Sequence, residues 1–140
     1  MIAQHIYLDK YDWYIIIFYI IDYINKEEIL DELQSINCDE LVLEGIEYNL
    51  DNDIENTGFT YSNPKFRTTI SLISHTDSAA EFNDSYDHEK GHIVMHIAKA
   101  FDLDPYGEEI QYLNGSIGYE TFPVAKYFLC DNCRKQLYEE

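Results

Sequence analysis

The segment from Ala79 to Phe101 constrains the fold most, because it is the longest stretch of the chain with helical periodicity. Its large apolar side chains recur at spacings that place them on one face of a helix. They are Phe82, Tyr86, Ile93, Ile97 and Ala100. The residues Thr76 to Ser78 just before it offer side chains that can cap a helix. The sequence therefore predicts one long amphipathic helix around which the other elements are arranged.

This predicted helix carries an unusual group of polar side chains at its apolar edge. Glu89 lies near the middle of the apolar face, where a carboxylate without a partner costs free energy. His88 and His92 are one turn apart on the flank, with Cβ atoms roughly 6 Å from each other. Two imidazoles so placed can bind one Zn²⁺, and the glutamate between them can hold a metal-bound water. The structural alternative is a set of hydrogen-bonded histidines with the glutamate in an ion pair.

A catalytic zinc takes three protein ligands, so a third must come from elsewhere. Asp104 and Pro105 predict the start of a further helix, which we expect to end near Ile117 with Gly118 as its cap. On this helix Glu109 lies nearer than Glu108 to the predicted apolar stripe of Tyr106, Ile110, Leu113 and Ile117. The helix macrodipole alone accounts for an acidic Glu108. Glu109 is therefore the predicted third ligand, and replacement of Glu109 by Glu108 remains the alternative.

Another histidine, His96, follows His92 by one turn. Three histidines in line along one helix cannot close on a single metal. His96 is therefore either a hydrogen-bonding partner of a ligand or carboxylate, or an ordinary histidine at the edge of the core.

The rest of the chain predicts an α+β fold. Residues 11–21 are rich in Ile, Tyr, Phe and Trp, which favour a buried strand. Asn25 followed by Glu28 is typical of a capping box at a helix start. The predicted elements are a strand over 11–21, a helix over 25–37, a segment over 39–50 that is helical or extended, a polar turn over 51–58, a hairpin with arms over 59–62 and 66–74, and helices starting near 79, 105 and 121.

The net charge and the cysteine content restrict the possible partners and the cellular compartment. A net charge of −18 over 140 residues argues against direct binding of nucleic acid or of an anionic membrane. No basic region followed by an apolar run opens the chain, and the apolar run at 14–21 is too short for a membrane helix. Three cysteines do not form a disulfide framework, so we expect a reducing, cytoplasmic setting. The pair Cys130 and Cys133 is half a zinc site, a redox motif or two ordinary reduced thiols.

The sequence His88-Glu89-Lys90-Gly91-His92 followed by a glutamate on the next helix resembles the gluzincin branch of the zincin metallopeptidases, in a minimal form. The segments 56–63, 88–92 and 107–113 are also similar to small zincin-like proteins of phages and of mobile elements of gut bacteria. This resemblance covers most of residues 56–133. It implies a single zincin-like domain over 1–140, with a small mixed or antiparallel sheet packed on the active-site helix and a C-terminal helix at the end.

The resemblance also implies a function. His88, His92 and Glu109 would be zinc ligands, and Glu89 would be the general base in peptide hydrolysis by a zinc-bound water. A tyrosine or histidine often stabilises the oxyanion in such enzymes, and the candidates Tyr61, His75, Tyr112 and Tyr119 stay open. The expected partner is a peptide or protein substrate in the bacterial host cytoplasm.

Two other hypotheses come from different classes of protein. One is a catalytically silent zincin-fold module of phage or mobile-element origin that binds a protein partner or has a structural role. The other is an acidic decoy that occupies a basic, DNA-binding partner, for which the charge matters and the metal does not.

Overall fold

The computed structural model describes residues 1–20, 25–52 and 58–138. The chain divides into two compact units, the N-terminal unit Met1–His75 and the C-terminal unit Thr76–Glu140. The N-terminal unit contains a four-stranded mixed sheet with two helices, and the C-terminal unit contains three helices. The predicted α+β class and the mixed sheet are confirmed. A single zincin-like domain over residues 1–140 stays a prediction.

The regular elements follow each other in a simple order. They are β1 (Ile2–Leu8), a 3-10 turn (Asp9–Tyr11), β2 (Trp13–Tyr19), α1 (Lys26–Ser35), α2 (Glu40–Asp51), β3 (Phe59–Asn63), β4 (Thr68–Ile73), α3 (Ala79–Ala100), α4 (Glu108–Ala125) and α5 (Asp131–Tyr138). The end of the strand predicted over 11–21 and most of the turn predicted over 51–58 lie outside the described residues. Within the described part of the chain, no helix has the length and apolar character needed to cross a bilayer.

The sheet has the strand order β1-β2-β4-β3. β1 is antiparallel to β2, β2 is parallel to β4, and β3 is antiparallel to β4. The hairpin of β3 and β4 is confirmed, but β1 was not predicted. Its residues mix apolar side chains with Gln4 and His5, and its strand form depends on pairing with β2. Such pairing with a distant partner leaves little signal in the local sequence.

The two central strands, β2 and β4, are deeply buried. All six residues of β4 are buried, so neither of its faces is open to solvent. The threonine and serine hydroxyls among them need partners, and Trp13 Nε1 donates to Thr69 Oγ1 at 2.8 Å. Ser62 Oγ lies 2.6 Å from the same hydroxyl. These bonds let a polar strand lie in the interior at low cost.

Helices α1 and α2 cover one face of the sheet. Asn25 caps α1, as predicted, by accepting a hydrogen bond from the Glu28 amide at 3.5 Å. Asp39 caps α2 by accepting from the Leu41 amide at 2.9 Å, and this segment is helical rather than extended. The buried cluster that joins the helices to the sheet is Phe18, Ile20, Ile29, Leu33, Ile36, Cys38, Ile46, Leu50, Ile70 and Leu72.

In the C-terminal unit, α3 has the predicted extent to within one residue. Ser78 Oγ accepts a hydrogen bond from the Glu81 amide at 3.1 Å, and the Glu81 carboxylate accepts from the Asp77 amide at 2.8 Å. The predicted apolar face is buried except for Ala100, which is exposed. That difference follows from the position of Ala100 in the last turn, beyond the packed part of the helix.

Helix α4 differs most from the prediction. It begins at Glu108 instead of Pro105 and continues through Gly118 and Pro123, so the predicted end at Ile117 and the separate helix from Thr121 are wrong. The buried face runs without a break along the whole helix through Ile110, Leu113, Ile117, Thr121 and Ala125. Burial of this continuous face outweighs the cost of about 1 kcal/mol for a helical glycine. Tyr106, expected in the apolar stripe, precedes the helix and is 96 % exposed.

Candidate metal centre

His88, Glu89 and His92 form a compact group in the middle of α3. The two histidine Nε2 atoms are 3.2 Å apart, and their ring centroids are 4.8 Å apart with the planes nearly perpendicular. One ligand atom from each of the three residues lies within 4.8 Å of the other two. Both histidines are exposed, whereas Glu89 is only 4 % exposed. The predicted disposition, with the carboxylate inward and the imidazoles on the flank, is confirmed.

The donor set of this group fits zinc. Imidazole nitrogen and carboxylate oxygen are ordinary zinc ligands, with bonds of about 2.0–2.2 Å. Two nitrogens bound to one tetrahedral zinc at that bond length are about 3.3 Å apart, and the observed Nε2 separation is 3.2 Å. The same separation also suits a hydrogen bond from the N–H of one ring to the bare nitrogen of the other. The three residues are therefore a group that can hold a metal ion.

The outer face of α3 beside the histidines is exposed at Gly91. A Cβ atom there would meet no atom of the described residues within 4 Å outside the backbone of its own helix. Lys90, which the sequence pattern did not single out, places its ammonium 3.4 Å from an Asp87 oxygen and 5.4 Å from the centre of the Tyr86 ring. In the sequence, the one sign of these contacts is that a lysine directly follows Glu89.

Helices α3 and α4 are held in register by a buried polar contact. The Tyr86 hydroxyl is hydrogen-bonded to Thr121 Oγ1, which in turn donates to the Ile117 carbonyl at 2.8 Å. One turn further along α3, the Lys90 ammonium lies 3.8 Å from the Cβ position of Gly118. Helices α3 and α4 are therefore antiparallel.

This register locates the predicted third ligand. It brings Glu109 to about the level of Ala98, roughly 9 Å along the axis beyond His92 at 1.5 Å per residue. Glu109 is half-buried in the first turn of α4 and Glu108 is exposed, in keeping with the predicted faces of that helix. Neither belongs to the group of His88, Glu89 and His92. The role of Glu109 as third ligand stays a prediction.

His96 continues the histidine row towards the end of α3. Its ring centroid is 6.2 Å from that of His92, and the side chain is half-buried. Burial lowers the pKa of His96, and the nearby charges of His92 and Lys99 act in the same direction. A neutral imidazole can serve as a partner of a ligand or pack at the core edge, so both interpretations of His96 remain.

The candidates for an oxyanion partner are distributed over both units. Tyr112 and Tyr119 are exposed residues of α4, and Tyr61 and His75 belong to the N-terminal unit. The choice among the four stays open.

No protein-family model, curated protein or solved structure matches this chain. What remains of the resemblance to zincin metallopeptidases is the His88-Glu89-His92 cluster on a long helix of an α+β protein.

Proposed function

We propose that His88 and His92 bind one zinc ion and that the protein is a zinc-dependent metallopeptidase with Glu89 as its general base. The observation that supports zinc is the pair of Nε2 atoms 3.2 Å apart with the Glu89 carboxylate inside the same group. Two independent helix properties produce it: the one-turn spacing of the histidines and the inward direction of Glu89.

In the proposed chemistry, the role of each residue follows from how far it is buried. A bound zinc supplies Lewis-acid polarisation of the scissile carbonyl. Glu89, largely shielded from solvent, accepts the proton of the attacking water and later passes it to the leaving amine. The exposed edges of His88 and His92 leave the other side of the site open to a peptide or protein substrate.

Metal binding is tested first and without reference to activity. Calorimetric titration of the apoprotein should give one zinc per chain, with affinity reduced about 100-fold or more in His88→Ala and in His92→Ala. His5→Ala is the matched control, because His5 is an exposed histidine on β1. Zinc at a hundredfold excess over its Kd should raise the unfolding free energy by about 2.7 kcal/mol. Equal zinc affinity in His88→Ala and in the native chain would exclude the site.

A second pair of variants decides the third ligand. If Glu109 is the ligand, Glu109→Gln should weaken zinc binding about as much as loss of a histidine, and Glu108→Gln should not. Both residues lie in the first turn of α4, so their effects on helix stability are comparable. Unchanged affinity in Glu109→Gln would remove it from the ligand set.

Catalysis is tested on a fluorogenic peptide library with the zinc-loaded protein. Glu89→Gln should keep zinc and lose hydrolysis, because an amide cannot accept the proton of water. A native protein that binds zinc and cleaves none of the peptides would refute the peptidase proposal. That result would select the catalytically silent binding or structural module.

The net charge of −18 supports a second proposal, an acidic decoy for a basic DNA-binding protein. Its binding should weaken steeply with salt and be indifferent to Glu89→Gln, whereas recognition at the metal site should not follow that pattern.

A further inference from the structure

Two cysteines lie together at the start of α5, apart from the metal group. Cys130 immediately precedes the helix and is exposed, and its carbonyl accepts the Arg134 amide at 2.9 Å. Cys133 lies in the first turn and is half-buried. Both are free thiols. The first turn of the helix thus carries a Cys-x-x-Cys pair with its leading sulfur accessible to solvent.

The two thiols have unequal surroundings. Hydrogen bonding from the Cys133 amide lowers the pKa of Cys130, with further contributions from the Cys133 thiol and the Asn132 amide. The hydrogen bond between the two thiols, together with burial, raises the pKa of Cys133. A sulfur that accepts amide N–H groups at a helix start is stabilised as a thiolate, so Cys130 is the better nucleophile at neutral pH.

We propose that Cys130 and Cys133 form a reversible intramolecular disulfide by exchange with a small-molecule disulfide, with Cys130 as the attacking residue. The Cys130 thiolate attacks one sulfur of the reagent, forming a mixed disulfide and releasing one thiolate. The Cys133 thiol gives up its proton and attacks the Cys130 sulfur, which releases the second thiolate. The protein loses two electrons and two protons, and the reagent becomes two thiols.

The surroundings of the two cysteines favour disulfide formation over metal binding. Among the described residues, the metal-ligating side chains that come close in a group of three are His88, Glu89 and His92, so the cysteines have no third ligand beside them. Two thiolates supply only half of a structural zinc site.

The turn that carries the pair is also well held. Arg134, which is 4 % exposed, donates to the carbonyls of Thr76 and Phe128, and Asp131 Oδ1 accepts the Ala79 amide at 2.9 Å. These contacts hold the turn on both sides of Cys133, which favours ring closure within one chain over pairing between chains.

The remaining cysteine, Cys38, provides an internal control. It is buried in the N-terminal unit, and burial raises the pKa of its thiol. It should therefore react slowly with a disulfide reagent. Cys38→Ser is expected to leave the chemistry of the pair unchanged.

The test uses the full, reduced chain in glutathione redox buffers, with intact mass and peptide mapping as readouts. The native chain and Cys38→Ser should each lose two hydrogens and two titratable thiols, reversibly and as monomeric species on a denaturing non-reducing gel. Cys133→Ser should stop at a glutathione adduct on Cys130. Cys130→Ser should form its adduct on Cys133 about tenfold more slowly.

Four results would overturn the proposal. The first three are persistence of both thiols in oxidised glutathione, chain-to-chain disulfides as the main product, and adduct formation on Cys133 as fast as on Cys130. A zinc ion retained by the His88→Ala variant but lost on Cys130→Ser would also overturn it, since it would assign the thiols to a metal.

Discussion

The buried hydroxyl pair between α3 and α4 gives a sharp stability prediction. Thr121 Oγ1 donates its single hydrogen to the Ile117 carbonyl, so the Tyr86 hydroxyl must be the donor in the bond that joins the helices. Thr121 is 0 % exposed and Tyr86 is 8 % exposed, so water cannot readily replace either partner. The direction of donation determines which single substitution costs more.

Tyr86→Phe removes the donor and leaves Thr121 still bonded to its own helix. We expect a loss of about 0.5–1.5 kcal/mol in unfolding free energy, the usual contribution of one hydrogen bond. Valine has nearly the same shape as threonine, but Thr121→Val leaves the Tyr86 hydroxyl buried without its acceptor. This substitution should lower the unfolding free energy by about 1–3 kcal/mol. The double variant replaces both partners by apolar groups and should be more stable than Thr121→Val alone.

The assay is urea unfolding of the four proteins, followed by far-ultraviolet circular dichroism. The double-mutant cycle should yield a coupling energy of about 1 kcal/mol, and the Thr121→Val midpoint should rise when Tyr86→Phe is added. A double variant whose loss equals the sum of the two single losses would refute the donor assignment. So would a Tyr86→Phe loss larger than that of Thr121→Val.

Two further predictions concern the ends of the chain. Arg134→Met should lower the unfolding free energy by about 1.5–3 kcal/mol, because the Thr76 and Phe128 carbonyls lose a charged donor, whereas the exposed Lys135→Met should change little in the same urea assay. The bond from the Tyr7 hydroxyl to Asp12 raises the pKa of Tyr7 to about 12. Tyr7→Phe should therefore lower the unfolding free energy below pH 10, the pKa of tyrosine in the unfolded chain. The difference in unfolding free energy between the native chain and the variant should disappear as the pH rises to about 12. A difference that grows with pH would contradict the assignment.

The sequence was most informative where the signal is local. Periodicity located α3, placed Glu89 on its buried face and put His88 and His92 on the flank, because all three depend only on the geometry of one helix. The caps at Asn25 and Ser78 were predictable for the same reason.

Features that depend on a partner element were missed. β1 is a strand because β2 pairs with it, and α4 passes Gly118 and Pro123 because its buried face is continuous. A helical wheel gives the angle of Glu109 around α4 but not its height relative to His92. That height follows from the Tyr86 to Thr121 contact, which no single-helix pattern contains.

The sheet topology has a consequence for the order of folding. β1 and β2 are neighbours in sequence, as are β3 and β4, so each antiparallel hairpin can form by closure of a short loop. The parallel contact of β2 with β4, which pairs Tyr14 with Thr68, requires closure of the whole intervening chain, including α1 and α2. The two hairpins should therefore form early and their parallel junction late. Substitutions in that junction should therefore act mainly by speeding unfolding, whereas substitutions in the hairpins should slow folding.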